Sequence, residues 1–360
     1  MTSSGFEAPR LAVLVSRSDT PCGVEAFARL LASTAGRRAT TTTLDLDLAT
    51  LGKALDDTDA VVLNLPLVAW KTRLVEPAVA LAMAHAKGRG AIVVLHEWAD
   101  LDWKRRAAFA LPLKLADVIL FSCLEVSEQF AASPLSRWVT QRRGIIPIPP
   151  NLMRPETIRA SDDSQRLAAE RAKGRLILGH FGSIYPKKHS AEVLDIAAAI
   201  RRLGHDPFVV FAGSFVKGQD RVQETFEARV RALDLADRVR VTGFVAEPED
   251  LFGIFEAVDV FVYRFAEGLT TRRASVQACL TSGKPVVVNS PPDRRSVDAF
   301  PTYRAAIATG QLCLASPHAD VDELAALAIN AAGSRIAVPP VDTQAAWAAA
   351  LSALDAAVMR

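Results

Sequence analysis

Two series of short apolar runs, each broken by helix-length segments, constrain this chain more than any other feature. The first series is "RLAVLVS" (10–16), "TTTTLDLD" (40–47), "DAVVLNLP" (59–66), "AIVVLHE" (91–97) and "DVILFS" (117–122). Helical segments separate most of them, notably 23–36, 73–87, 104–115 and 124–133. The second series is "RLILGHFG" (175–182), "PFVVFAG" (207–213), "RVRVTGF" (238–244), "DVFVYRF" (259–265), "PVVVNS" (285–290) and "QLCLAS" (311–316). Helices are expected between them over 190–203, 220–234, 248–257 and 271–282, and a last one over 342–359. Runs that are apolar throughout suit strands buried on both faces, and alternation with helices makes a parallel sheet covered on both sides.

The pattern halts at "GIIPIPPNLMRPE" (144–156), where four prolines cannot continue a helix or a central strand. That stretch, followed by the polar segment 159–174, is read as the start of an interdomain connection. The expected fold class is therefore α/β, with two Rossmann-like doubly wound domains facing each other across a cleft. Residues 1–155 form the first domain, joined by the C-terminal helix 342–360; residues 156–341 form the second. A length of 360 residues fits two domains. Ligands of such sheets bind at the carboxyl ends of the strands, so the strand-to-helix loops are where chemistry is expected.

Several function classes drop out. The formal net charge is only +2, so no global field recruits nucleic acid. The longest apolar runs are strand-length, well short of the roughly 20 residues that cross a bilayer. The opening "MTSSGFEAPR" lacks the apolar stretch of a secretory signal. Cys22, Cys123, Cys279 and Cys313 are scattered without a CxxC pair, which fits a reducing cytosol rather than a zinc or disulfide framework. With few, unclustered histidines, neither a metal nor a bound cofactor is expected, and the protein is read as cytoplasmic.

Three loops of the second half carry chemistry-bearing residues. In "GHFGSIYPKKHSAEVL" (179–194), Lys187 and Lys188 approach a helix start that Ser190 can cap, a natural place for a phosphate. The bland alternative is a solvated turn. In "VRVTGFVAEPEDL" (239–251), Gly243 ends a strand, and the residues before Pro248 can offer backbone groups to a flat ring. In "RFAEGLTTRRAS" (264–275), Thr270 or Thr271 can cap a helix whose first turn holds Arg272 and Arg273. Cations at that positive end cost about 0.3–1 kcal/mol each unless an anion sits there. The alternative is that they pair with Glu267 or point to solvent. In the first half, Gly23 follows a strand and opens a helix without GxGxxG, and His96 stands just past a strand's carboxyl end. The segment "WKRRAAFALPLK" (103–114) holds four cations and no acid. Its preferred reading is a helix covering the sheet; the other is peripheral contact with an anionic membrane, at its inner face.

In order and spacing, "GSIYPKK", "VVFAG", "DRVRVTGF", "VDVFVYRFAEGLTTRRAS" and "SGKPVVV" resemble the donor domain of retaining GT-B glycosyltransferases of family 4, over residues 176–290. The first half is similar more loosely, through "GVEAFARLL", "VVLHEW" and "ADVILFS". The resemblance implies a metal-independent hexosyltransferase that moves a sugar, with retention, from a nucleoside-diphosphate sugar to an unidentified acceptor. It implies that Lys188 neutralises the donor diphosphate and that Glu267, first Glu of the family's Glu-x7-Glu motif, contacts the sugar hydroxyls. Gly268, Leu269 and Thr270 would lend backbone amides, with Thr271 beside them. His96 and Gly23 fall where the family approaches the donor sugar, and Gly182 opens the diphosphate loop. Gly213, Gly243, Phe244, Val245 and Ser275 fall on the nucleoside side. Two positions depart from the family: Ser183 replaces a loop arginine, and Ser275 replaces the motif's second Glu. Arg272 or Arg273 is expected to supply the missing cation. Two other readings stay open, a non-catalytic sugar-nucleotide-binding subunit of a glycan-assembly complex and a GT-B nucleotide-sugar epimerase.

Overall fold

The computed structural model describes residues 8–16, 22–44, 47–67, 70, 75–185, 189–216, 221–334 and 341–359. The chain divides into two compact units, 1–151 with 344–360, and 152–343.

The first unit runs β1 (Leu11–Val15), α1 (Gly23–Ala35), β2 (Ala39–Thr43), α2 (Leu48–Asp56), β3 (Ala60–Leu65), α3 (Val75–Ala86) and β4 (Gly90–Leu95). It continues through α4 (Trp103–Ala108), α5 (Ala110–Leu115), β5 (Val118–Phe121), α6 (Leu124–Ala131) and β6 (Arg142–Ile145). Its six parallel strands lie in the order β2-β1-β3-β4-β5-β6. Alternate residues of one strand enter opposite cores: Leu11, Val13 and Val15 on one face, Ala12 and Leu14 on the other. That two-sided burial is why the strands read as continuous apolar runs. The strand β6 is a correction to the expected break at 144–156: Arg142–Ile145 still pairs with β5 before the prolines stop the sheet.

The second unit runs α7 (Asp162–Ala172), β7 (Leu176–Phe181), α8 (Glu192–Arg202), β8 (Pro207–Ala212), α9 (Val222–Ala232), β9 (Val239–Val241), α10 (Pro248–Ala257) and β10 (Val260–Tyr263). Then follow α11 (Ala274–Leu280), β11 (Val286–Asn289), α12 (Arg295–Ala299), α13 (Pro301–Ala308), β12 (Leu312–Ala315) and α14 (Val321–Gly333). Its sheet is also six parallel strands, ordered β12-β11-β10-β7-β8-β9. Phe261 and Tyr263 enter one core and Val260 and Val262 the other. The last helix, α15 (Thr343–Val358), places Trp347, Ala350, Leu354 and Ala357 in the first unit's core, with Trp347 stacked on Phe27 at 5.6 Å between centroids.

Candidate functional site

In a parallel sheet all strands end on one edge, and the loops beyond that edge share a neighbourhood. In the second unit, chain order reverses between β7 and β10: the sheet grows outward from β7 through β8 and β9, and from β10 through β11 and β12. Such a switch point holds the two adjoining loops apart and leaves a crevice for a ligand. Here those loops are 182–191 and 264–273.

A cavity of about 320 Å³ opens at the carboxyl ends of β7, β8 and β9. Of the residues singled out in the sequence, Gly182, Ser183, Gly213, Phe244 and Val245 line it together. Its other walls, Leu152, Phe181, Ala212, Ser214, Ala246, Pro248 and Leu251, are largely apolar and were not anticipated. The β7 and β8 chains stay paired beyond their ends, through Gly182 N–H to the Ala212 carbonyl (3.1 Å) and Ile184 N–H to the Ser214 carbonyl (2.9 Å). They press so closely that a Cβ on Gly213 would lie 2.1 Å from the Gly182 oxygen. Gly243, at φ 78°, makes the turn that lets Phe244 follow, and Phe244 stands 83% exposed at the rim. An apolar slot with an exposed aromatic at its mouth and backbone groups on its walls suits a flat heterocycle.

The loop after β10 is built from the inside. The Asn289 side chain accepts from Phe265 N–H at 2.9 Å and donates to the Phe265 carbonyl at 2.8 Å, while its own carbonyl takes Leu269 N–H at 2.9 Å. Gly268, at φ 78°, lies against Ser290 and Pro291, where a Cβ would come within 2.3 Å of the Ser290 oxygen. Leu269, Thr270 and Thr271 are buried, and Tyr303 donates to the Thr270 carbonyl at 3.2 Å.

The arginines sit differently from expectation. The helix α11 begins at Ala274, so Arg272 and Arg273 precede it rather than occupying its first turn. Tight turns take up 270–274: Arg273 N–H bonds the Thr270 carbonyl (3.1 Å) and Ala274 N–H the Arg272 carbonyl (3.0 Å). No threonine caps α11; the Thr271 hydroxyl is buried without a hydrogen-bond partner, and Gln277 holds the Thr271 carbonyl at 2.8 Å. Nor does Ser190 cap α8, which starts at Glu192. The Arg273 guanidinium stacks on Phe265, 4.1 Å from the ring centroid, and forms an ion pair with Glu267. That pairing is the alternative the sequence left open for Arg273. Arg272 is half-buried, and so is Ser275 on α11. Lys187 and Lys188 lie outside the described residues.

Sequence reasoning missed a cluster at the same edge. Arg264, directly after β10, pairs with Glu192 at the start of α8, and Glu192 also meets His189 Nδ1 at 2.6 Å. Burial raises the Glu192 carboxyl, but its hydrogen bonds to His189 and Arg264 outweigh this and leave it below the usual range. A cation at a strand's carboxyl end, as in "VYRF", was the available signal.

In the first unit, Gly23 is the exposed first residue of α1. His96 follows β4 and is buried, its Nε2 3.0 Å from Asn64 Oδ1 and its ring edge-on to Phe27 at 5.1 Å. Desolvation pushes its pKa down to about 3, so the imidazole is neutral at physiological pH. It can donate or accept a hydrogen bond there; it does not carry a proton in reserve. Asn64, the residue that orients it, was not foreseen.

No protein-family model matches the chain, and no curated protein is detectably similar in sequence. Solved structures do match. HepE of Anabaena in complex with UDP is 16% identical, with 97% of each chain covered and a TM-score of 0.61. A sucrose-phosphate synthase from Thermosynechococcus elongatus is 15% identical over 97% of this chain and 96% of its own, TM-score 0.57. A UDP-forming α,α-trehalose-phosphate synthase from Burkholderia xenovorans is 12% identical over 86% and 74%, TM-score 0.53. At such identities the likeness carries the fold: two six-stranded parallel sheets with flanking helices, the α/β architecture of GT-B glycosyltransferases.

Proposed function

We propose that this chain is a cytoplasmic glycosyltransferase of the family-4 type that transfers a hexosyl group from a nucleoside-diphosphate sugar, with retention and without a metal. The observation that carries the reading is the apolar cavity at the ends of β7, β8 and β9 beside a switch point whose loops hold Arg264, Arg272 and Arg273. A base fits the slot against Phe244, which directs its diphosphate toward those loops. The neighbours of this fold bound to UDP and UDP-glucose support a uridine donor first.

In this reading the bond between the sugar's anomeric carbon and the diphosphate breaks, and the electron pair leaves with the phosphate oxygen. Cations fixed in place before that charge develops stabilise it, and losing one costs about 10²–10³ in rate. The acceptor oxygen bonds to the anomeric carbon, and its proton passes to the departing diphosphate. We assign Arg264, Arg272 and the Lys188 loop to the diphosphate, and Glu267 with the Gly268–Thr270 amides to the sugar. For Glu267 to meet sugar hydroxyls, its carboxylate has to share or leave Arg273. From the first unit, neutral His96 and the Gly23 turn are assigned to the sugar by the same resemblance.

A second reading, a sugar-nucleotide-binding subunit without catalysis, is favoured by the Glu267–Arg273 pair together with serines at 183 and 275. Release of nucleoside diphosphate from UDP-glucose and its congeners, with EDTA present and no acceptor, separates the two. The transferase reading expects slow hydrolysis that Arg264→Ala reduces; no release from any donor that binds would favour the binding subunit.

A further inference from the structure

The outward side of the first unit between α4 and β6 carries aromatic residues that nothing in the fold covers. Phe109 N–H bonds the Arg105 carbonyl and Leu113 N–H the Phe109 carbonyl, each at 3.0 Å, so α4 and α5 form one nearly continuous helical run. Its inner side buries Phe109 and Leu113. Its outer side, by 3.6-residue spacing, presents Trp103, Ala107, Leu111 and Lys114. Trp103 is 73% exposed and Leu111 58%. Beside it, the 3-10 turn Pro134–Arg137 delivers Trp138, 76% exposed. Lys114 Nζ donates to the Trp138 carbonyl at 3.1 Å, which ties the two segments, and an apolar groove of about 500 Å³ runs between them over Leu111, Leu135 and Val139. A soluble helix normally turns polar side chains outward; this one turns out a tryptophan and a leucine.

The two stretches that line the groove carry charge of one sign. Residues 103–115 hold four cations and 134–143 three more, with no carboxylate in either stretch; of these, Arg142 donates to the Ala357 carbonyl of α15 on the other side of the sheet and does not face the groove. The adjoining Asp102 is engaged in capping α4, accepting from Arg105 N–H at 3.0 Å. A second copy of the chain seated on this face through a two-fold axis would set these cations against themselves. An anionic, partly apolar partner removes both difficulties. Exposed tryptophans beside lysines and arginines are the composition that settles at a lipid interface, the rings at headgroup depth and the cations among the phosphates.

We propose that this face, formed by 103–115 together with 134–143, docks on the surface of an anionic phospholipid membrane. It lies flat in the interface, since no helix among the described residues is long and apolar enough to cross. The surface is wider than the 103–114 segment visible in the sequence, because Trp138 and Arg137 arrive from a turn beyond β5. The proposal stands whether or not the chain is a transferase.

The chain has five tryptophans, and Trp70, Trp98 and Trp347 are 1–2% exposed, so a shift of tryptophan emission on docking reports on Trp103 and Trp138. The full chain is sedimented with phosphatidylcholine vesicles with and without phosphatidylglycerol, and its emission is recorded. The proposal expects co-sedimentation and a blue shift only with phosphatidylglycerol, both weakened by salt. The triple change Lys104→Gln, Lys114→Gln, Arg137→Gln should weaken partitioning about a hundredfold, roughly fivefold for each cation. Trp103→Ser with Trp138→Ser should abolish the shift and most of the binding, with the circular dichroism spectrum unchanged because both side chains are exposed. Equal binding to neutral vesicles, no binding to anionic ones, or binding indifferent to the tryptophan pair would overturn it. So would a concentration-dependent dimer that Trp138→Ser dissociates, which would make the occupant a second copy.

Discussion

Single atoms at the carboxyl edges decide what these sheets can hold. A methyl group on Gly213 would collide with the Gly182 backbone oxygen, so Gly213→Ala must part the ends of β7 and β8 at the wall of the cavity. We expect nucleotide affinity to fall at least tenfold and stability by about 1–3 kcal/mol, the usual cost of overpacking. Calorimetric titration alongside urea unfolding checks both. His96 makes a pH prediction. Its folded pKa lies near 3, below the ordinary 6.5, so the unfolded chain takes up a proton first as pH falls. The stabilisation is fully present above pH 6.5 and is lost progressively toward pH 3, with a slope of at most about 1.4 kcal/mol per pH unit. His96→Gln should therefore flatten the acid limb of a stability–pH curve, and a parallel curve for the variant would contradict the assignment. Glycines at strand ends were legible because such positions announce themselves in sequence. Asn64 and Asn289 were not: each is an ordinary residue within an apolar run, and its partner lies 32 or 24 residues away.

At the scale of elements, the 265–271 loop is a rigid turn strapped to the end of β11, not a flexible arm. Asn289→Ala removes the side-chain acceptor of Phe265 N–H but leaves the backbone acceptor of Leu269 N–H. Orphaning that buried amide should cost about 1–3 kcal/mol. Hydrogen exchange should then quicken at Phe265 while Leu269 keeps its protection; equal loss at both would mean the loop is held by other means. Strands and most helices were legible because two-sided burial writes itself as apolar runs. The helices α2, α12, α13 and α14 fell in segments for which no helix was expected, and three further elements were harder. The helix α7 carries one fully buried leucine, Leu167, among charged residues, although Ser161 does cap it. The strand β6 is an edge strand of sequence RRGI, joined by backbone bonds that have no side-chain pattern. The start of α11 moved to Ala274 because the 270–274 turns closed on their own carbonyls, which removed the premise of cations in its first turn.

At the scale of the whole molecule, the two units are unequal in how they are completed. The second is continuous in sequence, whereas the first closes its core with α15, drawn from the far end of the chain. Removing 344–360 strips Trp347 from Phe27 and takes away the ion pair of Arg38 with Asp355 at 2.6 Å. Losing the tryptophan alone should cost about 3–5 kcal/mol. A thermal scan of the truncated chain should show the first unit melting early and the second unchanged. The two parallel sheets were readable from the alternation of runs; which loops share a cavity was not, because strand order is set by crossovers rather than by chain order. We propose above that the second unit's edge binds a nucleoside diphosphate. The most direct measurement is calorimetric titration of the full chain with UDP, GDP, ADP, CDP and TDP in EDTA, each against its monophosphate. Selective binding of one diphosphate is expected, UDP first, with its monophosphate much weaker and Phe244→Ala and Arg264→Ala each weakening it. Binding of none of the five, or binding indifferent to both substitutions, would contradict it.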